Sequence, residues 1–110
     1  MGAIINFEPI YKELKDSVIN IAVSSYKNYK NAVISDVTSY LAKVKDKIEE
    51  YTLQLSQNDL SEDEFKFNVD GLKELCEMKA LAQCGVAQIE LDKLKLKIGN
   101  TIVTTILGKI

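Results

Sequence analysis

Residues 18–55 read VINIAVSSYKNYKNAVISDVTSYLAKVKDKIEEYTLQL. The apolar positions in this stretch recur with the spacing four, four, three: Val18, Ala22, Tyr26, Tyr29, Val33, Val37, Tyr40, Val44, Ile48, Tyr51 and Leu55. Tyr29, Tyr40 and Tyr51 therefore stand eleven residues apart. An eleven-residue repeat occupies three turns at about 3.67 residues per turn, close to the ~3.6 of a relaxed α-helix. The stripe stays on one side of a nearly straight helix, a surface built to be covered by other helices.

Upstream, Asn6, Glu8 and Pro9 suit a helix start, as a cap, a first-turn acid and an early proline. No glycine or proline follows Pro9 before Gln57. One helix over about 8–57 is the expectation, roughly 70 Å long. Its weakest stretch is Ser24–Asn31, where helix propensity is modest and a kink is allowed. Lys43, Lys45 and Lys47 precede Glu49 and Glu50. That order is unfavourable for a helix C-terminus, so packing or a neighbour's charges must offset it.

Downstream, 57–61 forms a turn. Ser61-Glu62-Asp63-Glu64 is a capping box, with Leu60 and Phe65 placed as a hydrophobic staple. A second helix is expected over about 62–107. It carries two apolar stripes. The first is Phe65, Val69, Leu72, Cys76, Ala80, Ala87, Leu91, Leu94, Ile98 and Ile102. The second is Leu75, Met78, Ala82, Val86, Ile89, Leu96, Val103 and Leu107. A helix that is apolar on two stripes is buried on more than one side. Gly85 lies among small residues, read as the close approach of another helix. Lys93–Ile98 alternates with period two before Gly99-Asn100, a pattern that also suits a β-hairpin over 93–106. The helical stripes continue through Ile102, Ile106 and Ile110, so the expectation is helix with a kink at Gly99.

The totals narrow the function. The chain has 110 residues, 46% hydrophobic and 27% charged, with a net charge of −2. This is the size of one domain, 1–110. All 14 basic residues are lysine, and arginine, histidine and tryptophan are absent. Bidentate phosphate or guanine recognition is therefore disfavoured, and no nucleic-acid partner is expected. The usual general base and commonest metal ligand are missing too. No cofactor, metal site or catalytic residue is expected, and the chain is read as a non-enzyme. Glu74 and Glu77 share a helix face, as solvated charges. Cys76 and Cys84, twelve or so ångströms apart on a helix, are read as small buried hydrophobes rather than a disulfide. Gly2 begins a myristoylation-like pattern that fails at Asn6, where Ser or Thr is preferred. A cytoplasmic location, or export without a cleaved signal, follows from the lack of a leader pattern.

The fold expected is all-α: a long, coiled-coil-like antiparallel two-helix hairpin assembling into an oligomeric bundle, most simply a dimer of four helices. Val33, Val37, Tyr40, Val44, Ile48, Tyr51, Phe65 and Leu72 would form the hairpin seam. Leu75, Met78, Ala82, Gly85, Val86, Ile89, Leu96, Val103 and Leu107 would form the oligomer interface. The function expected is structural, through self-assembly or binding of another helical protein. The alternative is a membrane-active helical protein, toxin-component-like, using the apolar segment 98–110 on a membrane surface. A third reading, a ligand notch at Gly85, ranks last. In size and hairpin layout the chain resembles the small secreted helical-hairpin proteins of the WXG type, but 56–60 lacks their Trp-x-Gly turn.

Overall fold

In a computed structural model, residues 6–110 are described; Gly2 lies outside them. Among the described residues five helices form: α1 (Phe7–Ser25), α2 (Lys30–Ser56), α3 (Glu62–Gly71), α4 (Lys79–Gln83) and α5 (Gln88–Leu107). Short 3-10 turns occupy Lys27–Tyr29 and Leu72–Leu75, and no strand occurs among the described residues. The all-α class is as expected, and the β-hairpin alternative for 93–106 is replaced by one helix that continues through Gly99.

The long hairpin is not formed. The described residues measure 50 × 23 × 19 Å, shorter than a 70 Å rod. The stretch expected as one helix over 8–57 is two, and α1 folds back antiparallel to α2. Glu8 at the start of α1 meets Lys45 far along α2, Oε1 to Nζ 3.1 Å. The break falls in the weak stretch and has a local cause. Ser24 Oγ donates to Asn20 O at 2.9 Å and Ser25 Oγ to Ile21 O at 3.0 Å. Serine hydroxyls that bond carbonyls four residues back compete with the helix ladder and bend it. Tyr26 then leaves the helical region at φ −137°, ψ 62°.

The stretch expected as one helix over 62–107 breaks twice. Its start is the capping box: Glu64 N–H donates to Ser61 Oγ at 3.1 Å, and Ser61 N–H to Glu64 Oε1 at 2.9 Å. The Ser61 N–H bond most strongly, and the Ser61 hydroxyl after it, hold the Glu64 carboxyl below its usual range. The first break is at Cys76–Met78, where Cys76 is extended and Met78 is left-handed at φ 50°, ψ 39°. The second is at Gly85, φ 90°. There Val86 N–H donates to Leu81 O at 3.3 Å and Gly85 N–H to Ala82 O at 3.0 Å, the paired bonds of a Schellman ending. A Cβ on Gly85 would have nothing within 4 Å. Gly85 is therefore a helix stop, not the close-approach point expected. Asn58 ends α2 in the same way, at φ 62°, with Asp59 N–H donating to Gln54 O at 2.8 Å.

Four antiparallel runs surround one core: α1, α2, α3 with α4, and α5. Phe7, Leu14, Val18 and Ala22 of α1 meet Val33, Val37, Leu41, Val44 and Ile48 of α2. Phe65 and Val69 of α3, and Leu91, Leu94, Ile98, Ile102 and Ile106 of α5, complete it. All are close to fully buried. At about 25 cal/mol per Å² of apolar surface, each such side chain contributes roughly 1.5–3 kcal/mol against exposure. The expected seam residues Val33, Val37, Tyr40, Val44, Ile48, Phe65 and Leu72 lie in this core, with Tyr51 half-buried. They do not line a single two-helix seam, because α1 and α5 share them. Tyr29, placed with Tyr40 and Tyr51 by the repeat, is 39% exposed at the turn.

Neighbouring charges answer the unfavourable lysine order of α2. Glu8 of α1 takes Lys45, and Glu77 takes Lys43 at 2.9 Å. Lys45 Nζ also lies 4.7 Å from the Tyr11 ring centroid. The hydrogen bond from Lys45 to Glu8 raises the lysine pKa.

Candidate functional site

Two features of this fold bear on function. One is a clasp between α2 and the start of α4; the other is the outward face of α5.

The clasp is built on Asp36, one of two buried polar or charged residues among those described. Its Oδ1 accepts from Ala80 N–H at 2.9 Å and its Oδ2 from Leu81 N–H at 2.8 Å. The first N–H groups of a helix have no partner inside it, and the helix dipole favours a negative charge there. Asp36 thus caps α4 from forty-four residues upstream. The left-handed Met78 brings the chain into register for that bond. A β-carbon in this region costs roughly 1–2 kcal/mol. Burial of the Met78 side chain, 2% exposed, offsets it.

Beside the clasp lies a cleft of about 390 Å³, edged by Ser39, Tyr40, Lys43, Glu77 and Lys79. Glu77 sits between two lysines, 2.8 Å from Lys79 Nζ and 2.9 Å from Lys43 Nζ. The hydrogen bonds from Lys79 and Lys43 lower its pKa to about 2. Burial pushes the Cys76 thiol up to about 11 and raises Tyr40 as well. Near neutral pH the cleft therefore presents the lysine-paired Glu77 carboxylate and the protonated phenol of Tyr40, while the Cys76 thiol is buried in the core behind it. The Asp36 bonds and the Glu77–Lys43 pair join α4 and the turn before it to α2.

The outward face of α5 carries Ile89, Leu96, Val103 and Leu107, spaced seven, seven and four. That spacing is one side of a helix, opposite the buried Leu91, Leu94, Ile98, Ile102 and Ile106. Ile89 is 64% exposed and Leu96 49%. Val103 and Leu107 are half-buried and pack against the core, and Ile110 beyond the helix is exposed. Lys93 and Lys97 flank the stripe on its polar side.

The nine expected interface residues thus divide. Ile89, Leu96, Val103 and Leu107 share the α5 face. Met78 is in the core of its own chain, because the turn at Cys76–Met78 rotates it inward. Leu75 is exposed on the 3-10 turn, Ala82 and Gly85 are exposed at α4, and Val86 is half-buried. These last four belong to other elements, so no single helix face unites the nine. Cys84 is exposed while Cys76 is buried, which corrects the expectation that both are buried. Sequence patterning missed Asp36, since its partners are remote. It also missed Phe67, 78% exposed on α3, which falls on neither stripe. No helix among the described residues is long and apolar enough to cross a membrane. Comparison with protein-family models, with curated proteins and with solved structures finds no match.

Proposed function

We propose that this chain is a non-catalytic helical interaction module, and that it works by covering the outward face of α5 with another helix. The supporting observation is the double apolar character of α5: one face fills the core and the other leaves Ile89 and Leu96 largely in water. Two exposed aliphatics on one helix face, continued by the half-buried Val103 and Leu107, mark a contact surface more often than isolated ones do. Self-association in a dimer is the simplest form of the reading, because a twofold contact needs only one such face. A coiled-coil-like pairing of α5 with a partner's helix is the geometry that suits the seven-residue spacing.

The lipid reading for 98–110 draws less support. Ile98, Ile102 and Ile106 are spent in the core, which leaves Val103, Leu107 and Ile110 to meet a membrane.

The test is light scattering on the intact chain and on Ile89→Glu with Leu96→Glu. Both positions are solvent-facing, so helicity by circular dichroism should be retained. Loss of the dimer in the double variant supports the proposal. A wild-type chain that is monomeric at every concentration, or a variant dimer as tight as the wild type, overturns self-association through α5.

A further inference from the structure

The turn between α1 and α2 interrupts a helix without interrupting its pattern. Ala22, Tyr26, Tyr29 and Val33 keep helical phase across it, with spacings of four, three and four. A loop has no use for that phase, whereas a continuous helix does. The turn contains no glycine and no proline. Tyr26 and Tyr29 have φ of −137° and −123°, so neither has the positive φ that would resist conversion to helix. Few bonds hold the bend. They are the backbone bonds from Tyr26 N–H to Ala22 O and Val23 O, both 3.2 Å, and from Tyr29 N–H to Tyr26 O at 3.0 Å. With them are the two serine back-bonds, Tyr26 Oη donating to Glu90 O at 3.1 Å and Lys97 Nζ donating to Ser25 Oγ at 3.0 Å, these side-chain bonds all at exposed positions. Tyr29 pays for the bend with exposure on an otherwise apolar stripe.

We propose that Tyr26–Tyr29 is a hinge that straightens into helix, and that a second copy of this chain is the partner with which α1 is then exchanged. In the closed chain α1 packs on both α2 and α5, burying Phe7, Ile10, Leu14, Val18 and Ala22. Straightened, Phe7–Ser56 becomes one helix about 75 Å long. Its α1 portion leaves its own core and fills the same groove in another copy. Every contact is reused, including Glu8 on Lys45 and Glu13 on Lys109, the latter 2.7 Å in the closed chain. Exchange of an identical element needs no new complementary surface, and a short hinge between long elements favours it. The opened form regains the helix bonds lost at the turn and brings the two hinges together at the twofold axis. This inference stands on the hinge and is independent of the α5 face.

The test refolds the chain at low and high concentration and sizes it by light scattering. Lys27→Pro places proline at the first position of the 3-10 turn, which suits the bend, and forbids a helix through it. This variant should be monomeric throughout. Ser24→Ala, Ser25→Ala and Asn28→Ala together favour the straight form and should tighten the dimer by about tenfold or more. Exchange is read directly with Glu8→Cys and Lys45→Cys in a Cys76→Ala, Cys84→Ala background, joined by a short bismaleimide. An exchanged dimer gives covalent dimers on a denaturing gel. A closed monomer, or a dimer formed through α5, gives cross-links at monomer mass. The cross-linking pair is also placed on the natural hinge, so misfolding of the alanine variant does not decide the outcome. Covalent dimers that increase with refolding concentration and vanish with Lys27→Pro support the hinge. Cross-links confined to monomer mass at millimolar refolding concentration overturn it.

Discussion

Asp36 is a buried carboxylate that joins α2 to the start of α4. Both carboxylate oxygens accept backbone bonds that nothing else in α4 could make. Charge-assisted bonds of this kind are worth about 1.5–3 kcal/mol each, and orphaned N–H groups carry a further cost. Asp36→Ala should therefore destabilise the chain by about 3 kcal/mol in urea unfolding. Asp36→Asn keeps one acceptor and turns an amide donor toward the second N–H, so it should cost less than alanine but remain clearly measurable. Equal stability of all three forms would remove the clasp from the account. Cys76 gives a second residue-level test. Its thiol is raised by burial from 9.0 to about 11, so the folded chain holds a proton that the unfolded chain loses over that window. The neutral thiol's contribution is fully present below pH 9 and is lost as pH rises toward 11, by up to ~1.4 kcal/mol per pH unit. The stability difference between wild type and Cys76→Ala should shift in that direction between pH 8 and pH 10.5. At pH 8 a thiol reagent should label exposed Cys84 quickly and Cys76 only on unfolding.

The elements differ in how far their limits were legible in the chain. The start of α3 was, because a capping box is local: Ser61 and Glu64 satisfy each other within one turn. The inner faces of α2 and α5 were too, since Val33 to Ile48 and Leu91 to Ile106 follow the period of a helix. The bend at Tyr26 lay in the stretch of lowest propensity, but its depth was hidden. A full reversal is favoured by burial of α1 against α2 and against α5, the latter more than sixty residues away. The turn at Cys76–Met78 had no local signal at all, because its cause is Asp36 on another helix. Gly85 did carry a signal, a glycine after a short apolar run, which resembles a helix stop as much as a packing site. The two roles predict opposite outcomes from one substitution. Gly85→Ala forces a β-carbon onto φ 90° and should destabilise by about 1–2 kcal/mol. Gly99→Ala lies within α5, has open space around its new methyl and should stabilise by about 1 kcal/mol. Thermal unfolding of the pair against wild type separates them. A Gly85→Ala as stable as wild type would mean that α4 does not end on a left-handed residue.

At the scale of the whole molecule, the sequence pattern and the fold make different demands on the same residues. The four-four-three stripe belongs to an expected helix over 8–57 of about 70 Å, while the closed chain spans 50 Å with a Cα radius of gyration of 14.2 Å. A compact domain of this length has a radius of gyration near ~13 Å, so the closed chain is only mildly elongated. Folding α1 back gives a core that four antiparallel runs share, which a thin two-helix hairpin of the same chain could not enclose. The outward face of α5 and the phase kept through Tyr26–Tyr29 are then the two features the closed chain leaves unused, and both were visible as periodicity. The clasp at Asp36 was not, since it is defined by a contact between segments rather than by a repeat. Small-angle scattering on the monomer fraction should give a radius of gyration slightly above the Cα value, once the hydration layer is included. It should also give a longest dimension near that of the closed chain. Lys27→Pro should leave that curve unchanged. The alanine-substituted hinge should add a longer species that grows with concentration. A monomer curve extending to the length of a straight helix would instead show that the bend at Tyr26 does not form in solution, and that the stripe is satisfied along its full length without exchange.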